Sequence, residues 1–65
     1  MYYKRLRDLR EDKDLTQKQI SQYLGITQPQ YQLYESGKRE IPAHFIVLLS
    51  EYYKVSTDYL LGLQD

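Results

Sequence analysis

The sequence predicts an all-α fold, a compact bundle of five short helices in a single domain spanning residues 1–65. Three observations lead there. Apolar residues recur three and four positions apart along most of the chain, the spacing of one helix face. Residues suited to helix starts (Thr16, Thr27, Ser56) and glycines suited to helix ends (Gly25, Gly37, Gly62) divide it at short intervals. There is no cysteine, so neither a disulfide framework nor a thiolate zinc site can hold so small a domain, and packed helices must do so instead.

The elements follow in order. Tyr2, Leu6 and Leu9 are spaced by four and three, with charges between them, and give the inner face of a first helix that stops near Asp12 to Asp14. Leu15 is read as a buried anchor and Thr16 as the cap of a second helix from Gln17 to Leu24. Ile20 and Leu24 face inward there, and Ser21 is small enough to let another helix approach. Gly25 ends it, in the left-handed conformation that glycine takes cheaply. Ile26 plugs the turn, Thr27 caps the third helix, and Pro29 falls in its first turn, where a missing N–H costs nothing. That helix runs to about Ser36 with Tyr31 and Tyr34 inward, and Gly37 closes it. A loop from Lys38 to Ile41 leads to Pro42 at the head of the fourth helix, whose buried stripe is Phe45, Ile46, Leu49 and Tyr53. Val55 plugs the next turn, and Ser56 caps a last short helix through Tyr59, Leu60 and Leu61.

Size and composition narrow the function. A domain this small buries only roughly 60% of its unfolded surface, which leaves little room for the pocket of about 300 Å³ or more that a drug-sized ligand requires. No nucleophile–base pair is visible, so an enzyme is not expected, nor is a cofactor or small-molecule ligand. His44 is the single histidine and has no second ligand for a metal. Asp8, Glu11, Asp12 and Asp14 read as a charged helix end. No run approaches the ~18 apolar residues of a membrane span, and the N-terminus leads into charges, so a cytoplasmic protein is expected.

Formal net charge is zero, which does not favour a polyanion partner, but the distribution is uneven. Residues 1–18 hold six basic and four acidic side chains, residues 41–65 one basic (Lys54) and three acidic (Glu51, Asp58, Asp65). From Gln19 to Tyr34 there is no charge, and between Gln17 and Gln32 lie six glutamines and no acid. An acid-free, amide-rich surface suits contact with both phosphates and base edges. A merely solvated helix face ordinarily carries Lys and Glu, which pair at i,i+4.

The stretch from residue 16 to 36 is therefore the informative one. Two helices of about eight residues, joined by a short turn with glycine at its head, give helix-turn-helix geometry, in which the second helix enters the major groove of DNA. The residues Leu15-Thr16-Gln17, Ile20-Ser21, Leu24-Gly25-Ile26-Thr27, Tyr34-Glu35, Gly37-Lys38-Arg39, Pro42 and Asp58-Tyr59-Leu60-Leu61-Gly62 together resemble the helix-turn-helix family of phage repressors and Cro proteins, the XRE-like family. The resemblance covers nearly the whole chain and implies a lambda-repressor-like DNA-binding domain.

By position, the resemblance implies a repressor that binds double-stranded DNA as a homodimer, bacterial or phage-encoded and associated with the nucleoid. Base readout falls to Thr27, Gln28, Pro29, Gln30, Gln32 and Leu33. Gln28 leads, since a glutamine amide donates to and accepts from the N6/N7 edge of adenine at once. Pro29 and Leu33 stand where relatives often carry polar side chains; Pro29 offers only apolar contact, as with a thymine methyl, and Leu33 either does the same or covers the core edge. Backbone contact falls to Thr16, Gln17, Lys18, Lys38, Arg39 and His44. Such contacts position a protein without specifying sequence. Arg10 and Glu35 resemble an ion pair that fixes the reading helix in angle. Tyr52, Val55, Tyr59, Leu60 and Leu63 form either a two-fold dimer contact or the closing edge of the monomer core. Tyr23 points outward. The same fold also serves as a protein-binding module, as an antitoxin, antirepressor partner or adaptor, and zero charge with eight tyrosines suits that alternative.

Overall fold

A computed structural model describes residues 2–64. Met1 and Asp65, the ends of the expected domain, lie outside the described residues. Five helices and no strands are present among them: α1 (Lys4–Asp12), α2 (Gln17–Leu24), α3 (Gln28–Glu35), α4 (Ala43–Tyr53) and α5 (Thr57–Leu60). No helix is long and apolar enough to cross a membrane.

Local chemistry sets these boundaries. The Thr16 hydroxyl accepts from the Gln19 N–H at 3.1 Å while the Gln19 side chain accepts from the Thr16 N–H at 2.8 Å, a reciprocal capping box that satisfies two otherwise orphaned donors. Gly25 takes φ +74° at the end of α2. The Thr27 hydroxyl accepts from the Gln30 N–H and the Ser56 hydroxyl from the Tyr59 N–H. Pro29 lies in the first turn of α3.

The core gathers one or more residues from each helix. Leu6, Ile20, Tyr31, Leu49 and Leu60 are fully buried, joined by Leu24, Tyr34, Ile41, Phe45, Ile46 and Tyr53. Leu9, Leu15, Ile26, Val55 and Leu61 are partly buried against it, so Leu15 is a rim residue and not the buried anchor expected. Ser21 is 2% exposed and turns its hydroxyl back onto the Lys18 carbonyl at 2.7 Å, which lets α2 and α3 pack closely.

The N-terminal expectation is corrected. Tyr2 is not on the inner face of α1. It precedes the helix and is 53% exposed, because the four-residue spacing to Leu6 extends past the first helical residue. Its backbone instead lies against Gly37, where an added Cβ would stand 2.9 Å from the Tyr2 Cα. Beside it, the Tyr3 hydroxyl donates to Glu40 at 2.8 Å. The segment before α1 thus straps the loop that follows α3. At the other end, Arg5 donates to the Tyr59 and Gln64 carbonyls and lies 4.0 Å over the Tyr59 ring, which ties α5 to α1.

Candidate nucleic-acid interface

Helix α3 buries Tyr31, Tyr34 and Glu35, and this sets what it shows to solvent. Thr27, Gln28, Pro29 and Gln32 are exposed, while Gln30 and Leu33 are half-buried. The exposed amides of Gln28 and Gln32 make no side-chain hydrogen bond among the described residues, so each keeps a donor and an acceptor for an external partner. Gln30, also expected to read bases, donates its amide to the Tyr34 hydroxyl at 3.1 Å, one turn on. The Thr27 hydroxyl is engaged as a cap. Of the six side chains expected to read bases, two are therefore unencumbered amides.

Lys18, Lys38 and Arg39 are exposed and make no ion pair among the described residues. Lys18 sits in the first turn of α2, whose head reaches Glu35 through Gln17, and Lys38 and Arg39 follow the end of α3, so these cations gather toward the C-terminal end of the amide face. His44 is exposed in the first turn of α4, its ring 4.2 Å from that of Phe45. No group of three or more metal-ligating side chains is assembled among the described residues.

Behind this face lies a buried ionic node. Glu35 is 4% exposed. It accepts from Arg10 Nε at 2.9 Å and Arg10 Nη2 at 3.0 Å, a two-point pairing across α1 and α3. The third Arg10 donor, Nη1, goes to the Leu15 carbonyl at 2.7 Å. Gln17, the first residue of α2, donates its amide to Glu35 Oε1 at 3.2 Å. Burial is the largest single influence on the Glu35 carboxyl and pushes its pKa up. The Arg10 pair, with Gln17 and the nearby Tyr31 hydroxyl, outweighs it and holds Glu35 below the usual carboxylate range. The Arg10 guanidinium is correspondingly raised, first by its hydrogen bonds to Glu35. The Tyr31 hydroxyl is buried close to the Glu35 carboxylate, the Tyr53 hydroxyl is buried nearby with no hydrogen-bonding partner among the described residues, and burial raises both phenols well above their ordinary value.

A cleft of about 320 Å³ opens over this node between α1, the start of α2 and the end of α3, lined by Arg7, Arg10, Gln17, Gln32, Glu35 and Ser36, with Tyr2. Arg7 and Ser36, which are not among the residues expected at the interface, share this cleft with Gln17 and Gln32. Arg7 lies three residues before Arg10 on α1, a spacing that puts both on one side of the helix, and that was the available signal.

The residues read as either a dimer contact or the closing edge of the core differ in exposure. Leu60 is fully buried in the monomer core, as the second alternative has it. Tyr59 is half-buried beneath Arg5 and Val55 half-buried against the core. Leu63 is 75% exposed and Tyr52 40% exposed. Tyr52 packs its ring 4.6 Å from that of the outward Tyr23, whose hydroxyl donates to the Leu48 carbonyl at 3.3 Å.

Known proteins resemble this chain in sequence. The family described as helix-turn-helix matches residues 6–60 of the chain. The chain is 42% identical over 65 residues to YobD, an uncharacterized HTH-type transcriptional regulator of Bacillus subtilis (strain 168), the match covering 100% of this chain and 58% of YobD. It is 39% identical over 61 residues to the SPbeta prophage-derived uncharacterized HTH-type transcriptional regulator YonR of the same organism, covering 94% of this chain and 56% of YonR. It is also 39% identical over 62 residues to the B. subtilis HTH-type transcriptional regulator ImmR, covering 95% of this chain and 49% of ImmR. The chain thus spans about half the length of the curated relatives it matches. No solved structure matches it.

Proposed function

Because the chain belongs to the XRE-type helix-turn-helix family, we propose that it is a sequence-specific double-stranded DNA-binding domain of a transcription regulator, a repressor that occupies a near-palindromic operator as a dimer. The observation that carries this reading is the exposed, acid-free amide face of α3, with exposed cations after its end and at the head of α2. Gln28 and Gln32 read base edges in the major groove. Lys18, Lys38 and Arg39 meet backbone phosphates and set register. Gln17 adds a neutral phosphate contact from the head of α2.

Dimensions favour two copies. The molecule measures 29 × 23 × 19 Å, so one copy falls short of the roughly 34 Å between successive major grooves on one side of the duplex. With few cations, one copy also supplies little counterion release, and a second copy multiplies it. Repression then follows from occlusion of the promoter.

Selection from random duplex DNA, followed by gel-shift titration at two salt concentrations, tests the reading. An enriched near-palindrome, bound more weakly as salt rises, supports it. Absence of enrichment and of salt dependence overturns it and leaves the protein-binding reading, which the exposed Tyr23–Tyr52 ring pair favours. Within the DNA reading, Gln28→Ala relaxes preference at one base pair while Lys38→Ala weakens all sequences alike. Equal behaviour of the two would break the division between readout and positioning.

A further inference from the structure

We infer that Glu35 is a positioning residue for the Gln17 contact to DNA: the buried carboxylate holds the Gln17 amide in its phosphate-binding orientation before DNA arrives. This rests on the DNA-binding reading above and adds a step to it. The hydrogen bonds single out Gln17. A glutamine amide has two donor protons. One of the Gln17 protons lies on Glu35 Oε1 at 3.2 Å. The other, with the carbonyl oxygen, remains for the cleft shared with Arg7, Gln32 and Ser36. Gln28 and Gln32 have no such tether among the described residues and pay rotamer entropy when they bind. Gln17 has already lost it.

A carboxylate beneath a phosphate site would ordinarily repel the phosphate. Arg10 removes that difficulty, since its guanidinium faces the same carboxylate at two points and adds one positive charge to one negative. All three kinds of Arg10 nitrogen are engaged within the fold, and its side chain is 13% exposed. Arg10 therefore acts as a neutralising strut, while the amide it supports makes the outward contact. One node thus joins α1 through Arg10, α2 through Gln17 and α3 through Glu35, and locks the phosphate-contacting helix to the reading helix.

A double-mutant cycle on the enriched operator tests this. Gln17→Ala is expected to weaken binding roughly five- to tenfold, the effect of about one hydrogen bond. Glu35→Gln is expected to weaken it by a similar factor, and the double variant no more than the larger single one. Multiplying losses would overturn the inference, because a purely structural Glu35 acts independently of the side chain at 17. Circular dichroism at the assay temperature reports the folded fraction of each variant. Should Glu35→Gln fail to fold, the unmodified protein still decides: side-chain ¹⁵N relaxation should find the Gln17 amide nearly as ordered as the backbone and the Gln28 and Gln32 amides mobile. A Gln17 amide as mobile as theirs overturns the inference. Loss of all operator enrichment is a different outcome and overturns the DNA-binding reading itself.

Discussion

At the scale of single residues, the strongest constraint is the Arg10–Glu35 pair, since both members are withdrawn from water and each loses its counter-charge if the other is removed. Truncating one partner of a buried pair typically costs about 3–5 kcal/mol, whereas replacing both with apolar groups is often neutral. Arg10→Met should therefore lower stability by about that amount in urea titrations, and Arg10→Met/Glu35→Leu should regain most of it. A single variant as stable as the parent would show that the pair contributes nothing. The pH dependence has a definite sign. Glu35 has a depressed pKa when folded, so its contribution is fully present above the unfolded carboxyl value of roughly 4.3 and is lost as pH falls through the lower folded value. The urea midpoint should fall below about pH 4, and Glu35→Gln should flatten that limb. The exposed Lys4–Asp8 and Arg7–Glu11 pairs contribute little to it. Tyr53 offers the opposite case: its hydroxyl is buried with no partner among the described residues, so Tyr53→Phe removes an uncompensated polar group. That variant should be as stable as the parent or up to about 1 kcal/mol more stable, and a clear loss in thermal melting would reveal a partner, such as a bridging water.

At the scale of elements, the glycines separate two costs that look alike in a sequence. Gly25 and Gly37 both have positive φ, +74° and +81°, but an added Cβ meets open space at Gly25 and the Tyr2 backbone at Gly37. A non-glycine residue in the left-handed region costs roughly 1–2 kcal/mol. Gly25→Ala should cost about that, and Gly37→Ala distinctly more, because the strap ahead of α1 must also move. Equal losses on chemical denaturation would mean that the strap yields freely. This contrast also marks what was legible beforehand. Helix boundaries, caps and the inward face of α4 followed from spacing and local hydrogen bonding, which reach only a few residues. The close approach of Tyr2 to Gly37 and the tether of Gln17 to Glu35 join residues far apart in sequence, and no periodicity encodes them. For the site, residue types gave the amide face. Which glutamines were occupied internally, as Gln30 is by Tyr34, depended on tertiary placement.

At the scale of the whole molecule, stability and binding are coupled. A chain of 65 residues with a single small core has a stability of roughly 3–10 kcal/mol, so a ligand that binds only the folded form changes its melting visibly. At a concentration about a hundredfold above Kd, such a ligand adds about 2.7 kcal/mol. In a domain of this size each kcal/mol moves Tm by roughly 4–8 °C. The enriched operator should therefore raise Tm by roughly 10–20 °C, where an equal concentration of unrelated duplex adds only a few degrees. Salt supplies the decisive control. Net charge is zero, so generalised attraction to DNA is weak, and the electrostatic part must come from the few cations flanking α3. With Lys18, Lys38 and Arg39 each meeting one phosphate, log K should fall against log salt with a slope near −3 per protomer, at about −0.9 per phosphate. The operator-induced shift in Tm should shrink accordingly as salt rises, and more steeply in the parent than in Lys38→Ala. A shift indifferent to salt would place the contact elsewhere than on the phosphates, and one as large with unrelated duplex would deny the amide face its role in reading sequence.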